Sequence, residues 1–265
     1  MLRSLTKLFG KAAPSLPAID PSQWERVEAG LPFLDHLAPA ERARLRDMAL
    51  EFIAAKEWHG AQGLWLTQDI QLSIALQACL PVLNIGLEAY AGWVGVVVYP
   101  GDFIIPRREV DEAGVLHEYD DEVLGEAWEG GPVIIAWFAG AQQPAGVNVV
   151  IHEFAHKLDM ENGGVDGLPR LHAGMSRAHW ATVFSAAYED FCAEVDRGVE
   201  TAIDPYGAEH PGEFFAVVSE AFFETPIVLQ NRFPAVYDQL SQVYRLDPAA
   251  GQIRHPGRGE ARLPN

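Results

Sequence analysis

Val147-Asn148-Val149-Val150-Ile151-His152-Glu153-Phe154-Ala155-His156-Lys157-Leu158-Asp159 is the stretch on which the reading of this chain turns. Its apolar residues recur at helical spacing and predict a helix over 147–159. Within it His152, Glu153 and His156 spell His-Glu-x-x-His. Side chains four residues apart leave one face of a helix a turn apart, so both imidazoles can reach a single Zn²⁺ at about 2.0–2.1 Å. Glu153, turned by about 100°, stands where it can contact activated water without ligating the metal. Val149, Val150, Ile151, Phe154, Ala155 and Leu158 surround the polar trio, which makes the helix a buried one. Unpaired histidines and a carboxylate are costly there, and a metal ion relieves that cost.

Two histidines leave a catalytic zinc one protein ligand short. A third histidine six residues past the second is absent, because that position is Asn162, and Asp159 sits on the same helix, badly placed to close a tetrahedral face. The usual donor is a glutamate on a later helix. Pro211 to Glu224 supplies it: Glu213 and Glu220 lie two turns apart on one face of an otherwise apolar segment. Glu213 is the expected third ligand, although a first-turn glutamate also complements a helix dipole. Glu220 is expected to accept a hydrogen bond from a ligand histidine, with Asp159 as the competing acceptor. Tyr206, in the turn Asp204-Pro205-Tyr206-Gly207, is placed to donate to a developing oxyanion or else to pack as an ordinary loop tyrosine. His172 and His210 fall in loops and are weaker candidates.

Working outward, the 265 residues are 49% apolar and 21% charged, enough for one large domain with a proper core. No apolar run reaches the roughly 18 residues of a membrane span. Residues 1–11 lack the continuous apolar stretch and small-residue cleavage site of a secretory signal, so a cytoplasmic location is expected. Cys79 and Cys192 read as reduced core thiols. Thirty-seven acidic against 19 basic residues give a net charge of -18, which repels phosphate backbones and argues against direct nucleic-acid binding.

Periodicity predicts helices over Pro39–Glu57, from the Thr67 cap to about Leu80, over Ser176–Arg197, Pro211–Glu224 and Pro234–Tyr244. Trp93–Tyr99 and Pro132–Phe138 read as buried strands. The order of helices, strands, then helices indicates an α+β domain over residues 21–250, with poorly ordered tails at 1–20 and 251–265. Val133–Trp137, just ahead of the histidine helix, is where an extended substrate is expected to pair along an exposed edge.

From about Trp24 to Pro248 the chain resembles the family of zinc peptidases typified by Mlc titration factor A, whose catalytic core is similar to that of anthrax lethal factor. The resemblance rests on Leu80-Pro81-Val82-Leu83, Gly131-Pro132-Val133-Ile134, the run from Ile151 to Asp159, and Tyr206 followed seven residues later by Glu213. It implies a zincin-like single domain with N-terminal helices, a small mixed sheet and C-terminal helices. It implies one Zn²⁺ per chain on His152, His156 and Glu213, with Glu153 as general base and Tyr206 as the transition-state tyrosine. The function expected is that of a gluzincin-type metallopeptidase, an aminopeptidase acting on peptide substrates. The alternative is a regulatory binding protein that sequesters a transcription repressor of the Mlc type controlling sugar uptake, an association the same resemblance implies, with the zinc site secondary.

Overall fold

The computed structural model describes residues 19–110, 116–138 and 146–254. The expected N-terminal tail falls almost wholly, and the C-terminal tail from residue 255, outside these. The chain opens with α1 (Pro21–Glu28), α2 (Pro39–Ala55), β1 (Glu57–Gly60), which becomes an edge of the main sheet, and α3 (Gln68–Cys79). α2 starts at a proline whose missing N–H is harmless there, with Glu41 accepting from the Ala38 amide at 2.9 Å. The Thr67 hydroxyl caps α3 by accepting from Ile70 at 3.3 Å. The expected helix to Glu57 ends two residues earlier because Glu57 opens β1.

Next come β2 (Gly95–Tyr99), a hairpin of β3 (Phe103–Val110) and β4 (Leu116–Val123), β5 (Gly125–Ala127) and β6 (Val133–Ala136). The main sheet has the order β1-β2-β6-β5. β1, β2 and β6 run parallel, and β5 pairs antiparallel with β6 through Gly125↔Ile135 and Ala127↔Val133. Val96, Val98, Val133 and Ile135 are fully buried, while Gly95, Val97, Tyr99 and Ile134 are only partly so, as alternation of side chains across a pleated strand gives. The expectation of an exposed edge at Val133–Trp137 is corrected here: β6 is enclosed between β2 and β5, and the edge belongs to β5. Its sequence, Gly-Glu-Ala, has no strand propensity of its own and is extended only because β6 pairs with it.

The rest is helical: α4 (Val149–Asp159), α5 (Arg177–Asp196), α6 (Pro211–Glu224), α7 (Pro226–Arg232), α8 (Pro234–Tyr244) and α9 (Pro248–Arg254). The architecture is the single-domain α+β arrangement that the sequence predicts. α9 carries helix to Arg254, four residues into the expected tail. On α5, Trp180, Phe184 and Phe191 are buried, while Val183, Ala187, Tyr188 and Val195 pack at the core's margin. Both cysteines are free; Cys79 is a core thiol, whereas Cys192 is only half-buried. Among the described residues no helix is long and apolar enough to cross a membrane.

α4 lies between the sheet and α6 and uses three faces. Phe154 packs edge-on against Phe52 at 5.6 Å and Tyr90 at 5.2 Å between ring centroids, fixing the helix to the N-terminal half. The histidine face meets α6. Glu153 and Lys157, four residues apart and therefore on one stripe, face the β5–β6 hairpin.

Candidate metal centre and its cleft

All eleven residues of α4 are buried. Asn148 starts it, its side-chain oxygen accepting from Ile151 at 3.0 Å, one residue inside the expected start. His152 and His156 project toward the first turn of α6, where Glu213 sits. Glu213 Oε2 lies 3.0 Å from His152 Nε2 and 3.2 Å from His156 Nε2, and the two Nε2 atoms are 3.1 Å apart. Tetrahedral ligands about 2.0–2.1 Å from a zinc ion are separated by about 3.3–3.4 Å. The three atoms therefore form nearly the face of a tetrahedron, and the His₂Glu donor set is one that catalytic zinc sites use.

Glu220, two turns along α6, accepts from His152 Nδ1 at 2.7 Å. A carboxylate can only accept, so Nδ1 carries the proton and Nε2 presents its lone pair to the centre. The other Glu220 oxygen accepts from the Asn148 amide. Asp159 does not compete for a histidine. Its two oxygens accept from the Gly167 and Leu168 amides, each at 2.8 Å, so it ties down the loop after α4. Burial pushes its carboxyl up to about 6.

The electrostatics show how much these groups depend on one another. Burial opposes charge on His152, but the hydrogen bonds that the charged ring donates to Glu213 and Glu220 outweigh it and raise its pKa well above the ordinary value. Burial likewise works against the Glu213 carboxylate, yet the two histidines keep it well below the usual range. On Glu153 one oxygen is buried without a hydrogen-bond partner, and burial, opposed only by the charge of His152, drives its pKa up to about 8. Two imidazoles and three carboxylates converge here, and no lysine or arginine among the described residues lines the cleft beside them, so the cluster fits a divalent cation.

His152, Glu153 and Glu220 open onto a cleft of about 520 Å³ lined also by Val123, Leu124, Gly125, Val147, Val149, Asp204, Tyr206, Glu209 and Val217. Tyr206 follows a turn in which Asp204 accepts its amide at 2.9 Å. Its ring lies 6.0 Å from that of His152 and is 46% exposed, which does not suit a packed loop tyrosine. His172 Nε2 donates to the Val243 carbonyl and His210 caps α6, so neither joins the cluster.

Sequence reasoning missed Gly125, Asn148, Gln77 and Glu224. Gly125 comes so close to α4 that a Cβ there would sit 2.3 Å from Glu153 Oε1, an approach only glycine permits. Asn148 also donates to Gln77 at 2.8 Å and to Glu224 at 2.7 Å, extending the buried polar ladder from His152 through Glu220. The spacing of Glu213, Glu220 and Glu224 on one apolar helix carries that signal. Nothing local marks Gly125.

A family model described as glucose-regulated metallo-peptidase M90 matches residues 11–245. Mlc titration factor A of Klebsiella pneumoniae is 37% identical over 239 residues, covering 88% of this chain and 89% of that one. The protein of the same name from Serratia proteamaculans is 37% identical over 248 residues, 92% of this chain and 94% of its own. An uncharacterized protein of Synechocystis is 35% identical over 234 residues, 86% and 85% of the two chains.

Proposed function

The chain belongs to the glucose-regulated metallo-peptidase M90 family, and on that premise we propose that it is a zinc-dependent peptidase holding one Zn²⁺ through His152, His156 and Glu213. The observation that carries this reading is the convergence of three ligand atoms within 3.2 Å of one another, beside a buried carboxylate with an unpartnered oxygen. Bound there, the ion would polarise the scissile carbonyl and lower the pKa of the attacking water.

The chain's own groups supply the rest. Glu153 takes the proton from the attacking water and passes it to the leaving amine, a task its place on α4 between the two ligand histidines and at the cleft allows. The Tyr206 hydroxyl donates to the oxyanion. Glu220 holds His152 in the tautomer that leaves Nε2 unprotonated. The substrate backbone pairs with the free edge of β5. Asp204 and Glu209 line the cleft, and no lysine or arginine among the described residues joins them, which favours an ammonium at the substrate's amino end and hence aminopeptidase action.

The test is incubation of the zinc-loaded protein, acting as a cytoplasmic enzyme would at neutral pH, with a peptide library, and mapping of the cleaved bonds by mass spectrometry. Glu153→Gln is expected to keep the metal and lose at least about 10²-fold in turnover. Equal turnover in that variant would remove Glu153 from the chemistry.

A second reading is favoured by the relatives' name, Mlc titration factor A, together with the surplus of acidic groups. In it the chain binds a repressor of the Mlc type through that protein's basic surface. Glu153→Gln separates the two: a regulatory effect that survives loss of hydrolysis belongs to binding.

A further inference from the structure

Lys157 is an anomaly on α4. It is 4% exposed, and among the described residues no carboxylate pairs with it. An apolar residue in its place would spare the helix a buried charge. Its ammonium instead donates to the carbonyl oxygens of Trp128 and, at 2.8 Å, Gly131, and lies 4.9 Å from the Trp93 ring centroid. Those two carbonyls belong to the turn that joins β5 to β6. The turn is tight: the Gly131 amide donates back to Trp128 at 3.0 Å, and Gly130 has φ +61°.

Strand β5 is three residues long and, among the described residues, pairs on one side only. So short an edge strand does not fix its own position. What lies beneath it is the stripe of α4 that carries Glu153 and, one turn later, Lys157. We propose that Lys157 is a positioning residue: by gripping the β5–β6 turn it sets the height at which Gly125 and the free edge of β5 stand over Glu153, and so the register of an extended substrate against the general base. The proposal rests on the peptidase reading for its substrate, but the tether itself does not.

The experiment uses the full-length, zinc-loaded protein and Lys157→Met. Hydrogen–deuterium exchange is expected to quicken about tenfold or more in fragments covering residues 124–132, while fragments of α6 stay as in the wild type. In kinetics, the Michaelis constant for extended peptides is expected to rise about tenfold, with the kcat/KM of a single aminoacyl anilide changed less than about threefold, because the small substrate does not reach along β5. A merely structural lysine would instead lower the melting temperature and affect both substrates alike. Unchanged exchange at 124–132, or equal losses on long and short substrates, overturns the proposal. Should Lys157→Met fail to fold, Lys157→Arg decides: it keeps the charge and the donors, so exchange at 124–132 should stay within about threefold of wild type, and a larger rise refutes the tether. If the wild type cleaves no peptide at all, the peptidase reading falls, while the exchange measurement still decides whether Lys157 holds the hairpin.

Discussion

Replacing Glu220 by glutamine tests how the histidine centre is oriented, since the change preserves volume and alters only hydrogen-bond polarity. The carboxylate, 3% exposed, receives two donors: His152 Nδ1–H at 2.7 Å and the Asn148 amide. An amide offers one acceptor and one donating NH₂ group. If its oxygen stays with Asn148, the NH₂ group faces Nδ1, and the mismatch is relieved only by moving the imidazole proton to Nε2, the atom that points at Glu213. Either the mismatch persists or the ligand nitrogen is blocked. A buried donor left unsatisfied costs about 1–3 kcal/mol. For a domain of this size each kcal/mol shifts the melting temperature by about 2–4 °C, so the metal-free variant should melt roughly 2–12 °C below wild type. Loss of the carboxylate behind a ligand histidine should weaken metal binding about 10–100-fold, or about 1.4–2.8 kcal/mol. Competition with a chromogenic chelator gives the dissociation constant, and scanning calorimetry with and without metal gives the two melting shifts. A zinc affinity within about twofold of wild type, together with an unchanged metal-free melting temperature, would refute the argument that Glu220 sets the His152 tautomer.

Tyr206→Phe should lower turnover by about 10²–10³ while leaving zinc content and the Michaelis constant nearly unchanged, since the hydroxyl acts mainly in the transition state. Steady-state kinetics at full metal occupancy check this, and wild-type turnover removes the tyrosine from the mechanism. Glu224 makes a pH prediction. Burial raises its folded pKa from 4.5 to about 7, so between those values the native state keeps a proton that the unfolded chain has lost. Its contribution to stability therefore falls as pH rises through that window and grows on acidification. Melting curves at pH 5.5 and 7.5 should show a smaller pH dependence for Glu224→Gln than for wild type, and an identical dependence in the two proteins would show that the carboxyl does not titrate there.

What the sequence alone determined is what local periodicity encodes. Residues 152 and 156 share a helix face at any site in any fold, so the paired imidazoles and the offset glutamate were legible from their spacing. The same holds for Glu213 and Glu220, and for the long helices, whose apolar stripes repeat every three or four residues over many turns. Tertiary structure decided what depends on partners distant in the chain. β1 and β5 are four and three residues long and carry no readable pattern; they are strands because β2 and β6 supply the hydrogen bonds. The hairpin of β3 and β4 mixes charge and Pro106 into its strands and escaped for the same reason. The exchange of edge between β6 and β5, the assignment of Glu220 to a histidine and Asp159 to a loop, and the contact of Gly125 with Glu153 each bring together residues at least six and up to several tens of positions apart. Their rotamers and registers are set by packing across those separations, and spacing along the chain carries no information about packing.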